Sequence, residues 1–459
     1  MYKIDFNHPI HIYFIGIGGI SMSGLAELLL AEGFRISGSD MKESKLTEAL
    51  KEKGATVFYG QKASNLTPDI DLAVYTSAIH PDNPEYIALK QLGLPSLTRA
   101  QLLGQIMKNY KIPVAVSGTH GKTTTTSMIA EILLENDSDP TLSIGGIFKD
   151  IGGNIRIGKS DYFVAEACEY TNSFLSFFPK IGIILNIEED HLDFFKDIHD
   201  IRHSFHRFAN LLPQDGALIL NGDIENYNEL ADGLACRTIT FGSSKQCAYH
   251  YSDIAYDGHA HAAFTLHSPG HGEDRFALAV PGEHNVCNAM AAIALADLLG
   301  VNRRTVKKAL LHFTGTDRRF EYKGKKNGFT IIDDYAHHPT EITATLKAAA
   351  NYPHHNLWCV FQPHTYTRTK TFLTEFAHAL LHADNIVLTD IYAARETDTL
   401  GVSSKDLQDE ILRLGGKCHY LPTFEATEKF LLENCIKDDL LITMGAGDVV
   451  KIGENLLRK

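Results

Sequence analysis

Pro113-Val114-Ala115-Val116-Ser117-Gly118-Thr119-His120-Gly121-Lys122-Thr123-Thr124 runs from a β-branched apolar segment through two glycines into a helical pattern lasting to about Glu135. A strand that feeds glycines into a helix start turns bare backbone N–H groups toward an anion, and the helix dipole favours the charge. Lys122 can then reach β- and γ-phosphates, and the Thr123 hydroxyl a Mg²⁺ ion. The loop is two residues shorter than G-x-x-x-x-G-K-[ST], with Val116 where the first glycine belongs, but the strand–turn–helix context is intact. Gly118, Thr119, His120, Gly121, Lys122, Thr123 and Thr124 are therefore expected to bind ATP or GTP.

Upstream lies a second glycine turn, Gly16-Ile17-Gly18-Gly19-Ile20-Ser21-Met22-Ser23-Gly24, between a strand His11–Ile15 and a helix Ser21–Glu32. It approaches the dinucleotide pattern G-x-G-x-x-G but carries Ser21 in the last position, so a nucleotide-diphosphate site and a plain tight turn both stay open. Asp40, ending the next strand, suits a ribose or a base. Downstream, Glu166 ends the strand Tyr162–Glu166, with Glu169 one turn later, and Asn186-Ile187-Glu188-Glu189-Asp190-His191 follows the strand Ile181–Asn186. Carboxylates at successive ends of parallel strands face the crevice where ligands bind, and His191 offers a nitrogen ligand to a second ion. Asp333-Asp334-Tyr335-Ala336-His337-His338-Pro339 and Gln362-Pro363-His364-Thr365-Tyr366-Thr367-Arg368 each follow a strand, and His364 with Arg368 suits a carboxylate or phosphate.

The rest of the chain repeats this alternation of short apolar runs with helical periodicity, which predicts an α/β protein of parallel sheets with crossover helices. The expected strands include Phe34–Ser37, Asp71–Tyr75, Phe329–Asp333, Leu357–Phe361, Asn385–Leu388 and Leu440–Met444. Ser96–Gln105 reads as helix, Asn285–Leu299 likewise, and the His- and Gly-rich stretch Tyr249–Gly272 as hairpins or surface loops. With 459 residues, three domains are expected: 1–109, 110–315 and 316–459. Net charge is −13 with no Lys/Arg block, which excludes a nucleic-acid or anionic-membrane surface. Seven scattered cysteines without a CxxC pair, no basic leader and no long apolar run point to a cytoplasmic protein.

Nine segments in order resemble the Mur ligases, the ATP-dependent amide-forming enzymes of peptidoglycan precursor synthesis. They are Gly16–Gly24, Gly118–Thr126, Glu166–Leu175, Asn186–His191, His284–Asn288, Arg318–Phe320, Asp333–Glu341, Gln362–Thr369 and Gly445–Asp448. The resemblance implies a Rossmann-like first domain for UDP-N-acetylmuramate, a central P-loop ATPase-like domain and a Rossmann-like third domain for the amino acid. Gly16, Gly18, Gly19, Ser21 and Asp40 would hold the UDP-sugar. Thr123, Glu166 and His191 would ligate Mg²⁺, with Lys122 on the phosphates. His284, Asn285 and Asn288 would take the adenine side, with Arg319 and Asp334 closing over ATP. His337, His364 and Arg368 would face the substrate carboxylate and amino acid.

The implied reaction phosphorylates the lactyl carboxylate, and an amine then displaces phosphate from the acyl phosphate. The lysine that other branches carbamylate near the metal has no counterpart in Ile201–Asn210, which favours the branch that adds L-alanine. Because Lys122 and Arg319 come from different domains, closure should assemble the site. The rival readings are a murein-recycling ligase that attaches a tripeptide, an NAD-dependent dehydrogenase and a P-loop switch.

Overall fold

The computed structural model describes residues 2–76, 79–394 and 396–459. Among these residues the strands form three sheets, of five, ten and six strands. The first runs Thr56–Tyr59, Arg35–Asp40, His11–Ile15, Leu72–Tyr75, Ser96–Thr98, all parallel. Its central strand is buried from His11 to Ile15 because helices cover both faces, which is why Ile12 to Ile15 does not alternate between apolar and charged residues. The first glycine turn leaves the carboxyl end of this strand and opens the helix Ile20–Ala31.

The second sheet is parallel at its centre. Ile181–Ile184, Ile112–Ser117 and Tyr162–Glu166 lie side by side, so three loops leave neighbouring strands at one edge. Thr141–Phe148 extends the sheet on one side, and Ala217–Asn221 with Arg237–Gly242 on the other. The His- and Gly-rich stretch becomes antiparallel strands, Tyr249–Tyr256, His261–Ser268 and Gly272–Pro281. Here the burial alternates: Ala262, Phe264 and Leu266 point into the core while their neighbours do not. The third sheet orders Glu321–Lys326, Phe329–Asp334, Leu440–Met444, Leu357–Phe361, Asn385–Leu388 and Cys418–Tyr420, antiparallel only at the first pair.

One expected helix divides. Ser96–Thr98 is an edge strand, and Thr98 then caps the helix Arg99–Met107 by reciprocal bonds with Gln101. A three-residue strand is too short to register as a pattern, so the helical periodicity after it absorbs it. All seven cysteines are free. No helix among the described residues is long and apolar enough to cross a membrane.

Candidate active site

Gly118 and Gly121 adopt positive φ values of 144° and 79°, and the helix Lys122–Glu135 starts immediately after. A Cβ on Gly121 would stand 2.5 Å from Asn288 Oδ1, so only glycine lets the loop and the helix His284–Leu298 approach this closely. Lys122 Nζ donates to Gly118 O at 2.5 Å and Thr119 O at 3.0 Å, and it pairs with Glu169 Oε2 at 3.0 Å. Burial opposes its charge, but Glu169, with Cys168 and Glu166 beside it, holds the ammonium above the usual lysine range. The sequence motif points to Glu166 as the metal ligand, and Glu169, one turn later, serves as the counter-ion of the lysine.

Glu166 accepts from Gly145 N at 2.5 Å and from the Thr123 hydroxyl. Burial raises its pKa against those bonds and against Lys122 and Arg319. His191 has φ 54°, stacks on Tyr170 at 4.5 Å and places Nε2 4.0 Å from Glu169 Oε1. Thr123, Glu166, Glu169 and His191 thus gather around the lysine.

A cavity of 260 Å³ opens beside the loop, lined among others by His120, Gly121, Thr124, His284, Asn285 and Asn288 from the central unit. Arg319 and Asp334 line it from the third unit, with apolar wall supplied by Leu185, Phe241 and Val280. Asn288 Nδ2 donates to Asn285 Oδ1 at 2.9 Å, and Asn285 Nδ2 to Pro281 O at 2.7 Å, which fixes both amides. Asp334 accepts from Phe320 N and Ala336 N, orienting the turn that carries Arg319, and burial lifts its carboxyl to about 6.

The third unit is seated against the second through paired side chains. His120 Nδ1 lies 3.2 Å from Glu341 Oε1 and its Nε2 3.4 Å from Glu188 Oε2. Burial opposes its charge, but Glu341 and Glu188 outweigh that and lift the imidazole to about 9. His338 Nε2 sits 3.0 Å from Glu189 O. Arg368 grips Asp190 with Nη2 at 2.8 Å and Nε at 3.2 Å, while its Nη1 lies 3.1 Å from His364 Nδ1.

Burial works against the Asp190 charge, yet Arg368 and His191 hold it well below the carboxylate range. The Arg368 fork expected to face a substrate carboxylate is therefore engaged by a carboxylate of the central unit. His337 and His364 face each other at 5.7 Å, both depressed to about 4, first by burial. Glu188, Asp190 and Glu341 lie within the sequence motifs, but their partners are supplied only by the seam between sheets.

The first glycine turn lies apart from this cavity. Gly16 N donates to Ser39 O, Gly18 N to Asp40 Oδ2 at 2.8 Å, and Gly19 caps the helix that follows. Ser21 Oγ accepts from Arg99 at 3.0 Å. The expected residues are together, and Asp40 closes over the turn itself.

Three families match successive parts of the chain: "Mur ligase family, catalytic domain" at residues 11–111, "Mur ligase middle domain" at 116–296 and "Mur ligase, glutamate ligase domain" at 318–447. A UDP-N-acetylmuramate–L-alanine ligase of Lachnospira eligens is 61% identical, with 100% of both chains covered. The crystal structure of the UDP-N-acetylmuramate–alanine ligase of Thermotoga maritima superposes with TM-score 0.81 at 30% identity, over 98% of each chain. A murein peptide ligase of Psychrobacter arcticus gives TM-score 0.71 at 26% identity, again over 98% of each.

Proposed function

The chain belongs to the Mur ligase family, and from that premise we propose that it joins L-alanine to the lactyl carboxylate of UDP-N-acetylmuramate with cleavage of ATP, in peptidoglycan precursor synthesis. The observation that carries this reading is the meeting of two sets of groups across one seam. Lys122, Glu166 and Asp190 of the central unit face Arg319, Asp334, His337 and Arg368 of the third. Residues 1–109 would present the nucleotide sugar, 110–315 the ATP, and 316–459 the amino acid.

A carboxylate is a poor electrophile at neutral pH, so the lactyl oxygen attacks the γ-phosphorus in line and ADP leaves. The amine of L-alanine then attacks the acyl phosphate carbonyl, and inorganic phosphate departs from the tetrahedral intermediate. Lys122 swings from Glu169 onto the β- and γ-phosphates, and Arg319 adds positive charge from the other side. Asn285 and Asn288 orient the base. Positioning and charge stabilisation suffice, and no enzyme nucleophile is needed.

The donor set suits Mg²⁺. The Thr123 hydroxyl and Glu166 carboxylate adjoin, as a hard cation requires, and His191 offers nitrogen to a second ion. Held there, such ions would offset the negative charge of the phosphates.

Incubation with UDP-N-acetylmuramate, ATP and Mg²⁺ should release phosphate only when an amino acid is added, L-alanine being best. Glycine and L-serine should react less well, since a methyl-sized difference discriminates by about 1–3 kcal/mol. Mass spectrometry should find the L-alanyl product. Preference for the L-Ala-γ-D-Glu-diamino acid tripeptide over free L-alanine would overturn the reading.

A further inference from the structure

Arg99 opens the helix Arg99–Met107 and carries a charge that no carboxylate answers. The side chain is half-buried, and its Nη1 donates to Ser21 Oγ at 3.0 Å. Among the described residues no ion pair is formed by it, and burial draws its pKa down against only the nearby Cys168 thiol. That thiol is itself pushed up to about 11, first by burial, so it is neutral at pH 7. Other arginines of comparable burial are matched: Arg156 with Asp139 at 2.6 Å, Arg303 with Asp297 at 2.5 Å, Arg318 with Asp333 at 2.9 Å and Arg368 with Asp190 at 2.8 Å. A half-buried guanidinium with no carboxylate beside it is left with donors that a ligand anion can take.

The place is specific. On one side is Ser21, in the first turn of the helix that follows the first glycine turn. On the other is Cys168, next to the Glu169 that holds Lys122. The helix is pressed onto the segment after Glu169 so tightly that a Cβ on Gly104 would lie 1.9 Å from Ser176 O. Arg99 therefore stands beside the first glycine turn, with the segment that follows Glu166 on its other side.

We propose that Arg99 binds an oxyanion of the nucleotide-sugar substrate and positions it for transfer; this rests on the function proposed above. Guanidinium against carboxylate or phosphate is a charge-assisted, fork-shaped contact that lysine cannot reproduce. The oxyanion is either the diphosphate or the lactyl carboxylate, and ligands that lack one of them tell these apart.

Calorimetry with full-length protein would compare UDP, UDP-N-acetylglucosamine and UDP-N-acetylmuramate on wild type, Arg99→Gln and Arg99→Lys. The expected result is a ~10–100-fold weaker Kd for UDP-N-acetylmuramate in Arg99→Gln, partial rescue in Arg99→Lys, and ATP affinity unchanged. Equal weakening of all three ligands assigns the diphosphate; weakening of UDP-N-acetylmuramate alone assigns the carboxylate. Thermal melting of the unliganded variant should be unchanged or higher, because a costly charge has gone, whereas a structural arginine would lower it. Wild-type affinity of Arg99→Gln for all three ligands overturns the proposal. Failure of the wild type itself to bind UDP-N-acetylmuramate would instead remove the function on which it rests.

Discussion

Lys122 and Glu169 form an ion pair that is almost wholly withdrawn from solvent, with side-chain exposures of 16% and 3%. The consequence for mutagenesis is twofold. Lys122→Ala removes the cation proposed to offset phosphate charge, and kcat should fall by roughly 10³-fold or more, since such contacts are worth several kcal/mol in a transition state. It also strands the Glu169 carboxylate without its counter-ion, which in other proteins costs about 3–5 kcal/mol. A lowered melting temperature is therefore expected together with the lost activity. The double variant Lys122→Ala/Glu169→Gln should recover much of the melting temperature and none of the turnover. Near-normal turnover by folded Lys122→Ala would remove Lys122 from the nucleotide site.

At the scale of the element, the strand–turn–helix unit Ile112–Glu135 is specified locally and was legible for that reason. Gly118, Gly121, Lys122 and Thr123 carry their meaning in their spacing. Gly121→Ala puts a methyl at positive φ and against Asn288, so it should lose ATP binding and about 1–3 kcal/mol of stability; nucleotide titration and chemical denaturation would show both. Strands buried on both faces, such as Tyr162–Glu166 and Leu357–Phe361, read correctly to the residue because parallel sheets demand unbroken apolar runs. Thr141–Phe148 went unread because Gly145 and Gly146 interrupt its pattern, although Gly145 is there so that its amide can reach Glu166. The pairings Lys122–Glu169, His120–Glu341 and Arg368–Asp190 span 47, 221 and 178 positions of sequence, and nothing local encodes them. What a residue binds across a seam depends on how sheets dock, and single-sequence periodicity is silent on that.

In the whole molecule, the seam between the second and third units is titratable. His120, raised to about 9 from 6.5, stabilises the docked form fully below pH 6.5, and this is lost as pH rises through 9. His337 and His364, depressed to about 4, contribute fully above pH 6.5 and lose it as pH falls toward 4. Stability should therefore peak near pH 6.5, each of these groups contributing of order 3 kcal/mol at most. His120→Gln should flatten the fall in melting temperature between pH 7 and 9 while leaving the acid limb in place; an unchanged alkaline limb would refute the assignment. The two glycine turns share one further trait. Asp40 already sits on the Gly18 amide, and Glu169 already sits on Lys122. On the proposed function each turn thus keeps a tethered anion of its own, and loading the enzyme would be an exchange of anions rather than the filling of a vacant hole. Carboxylates held so close would compete with the incoming phosphates and trim ground-state affinity.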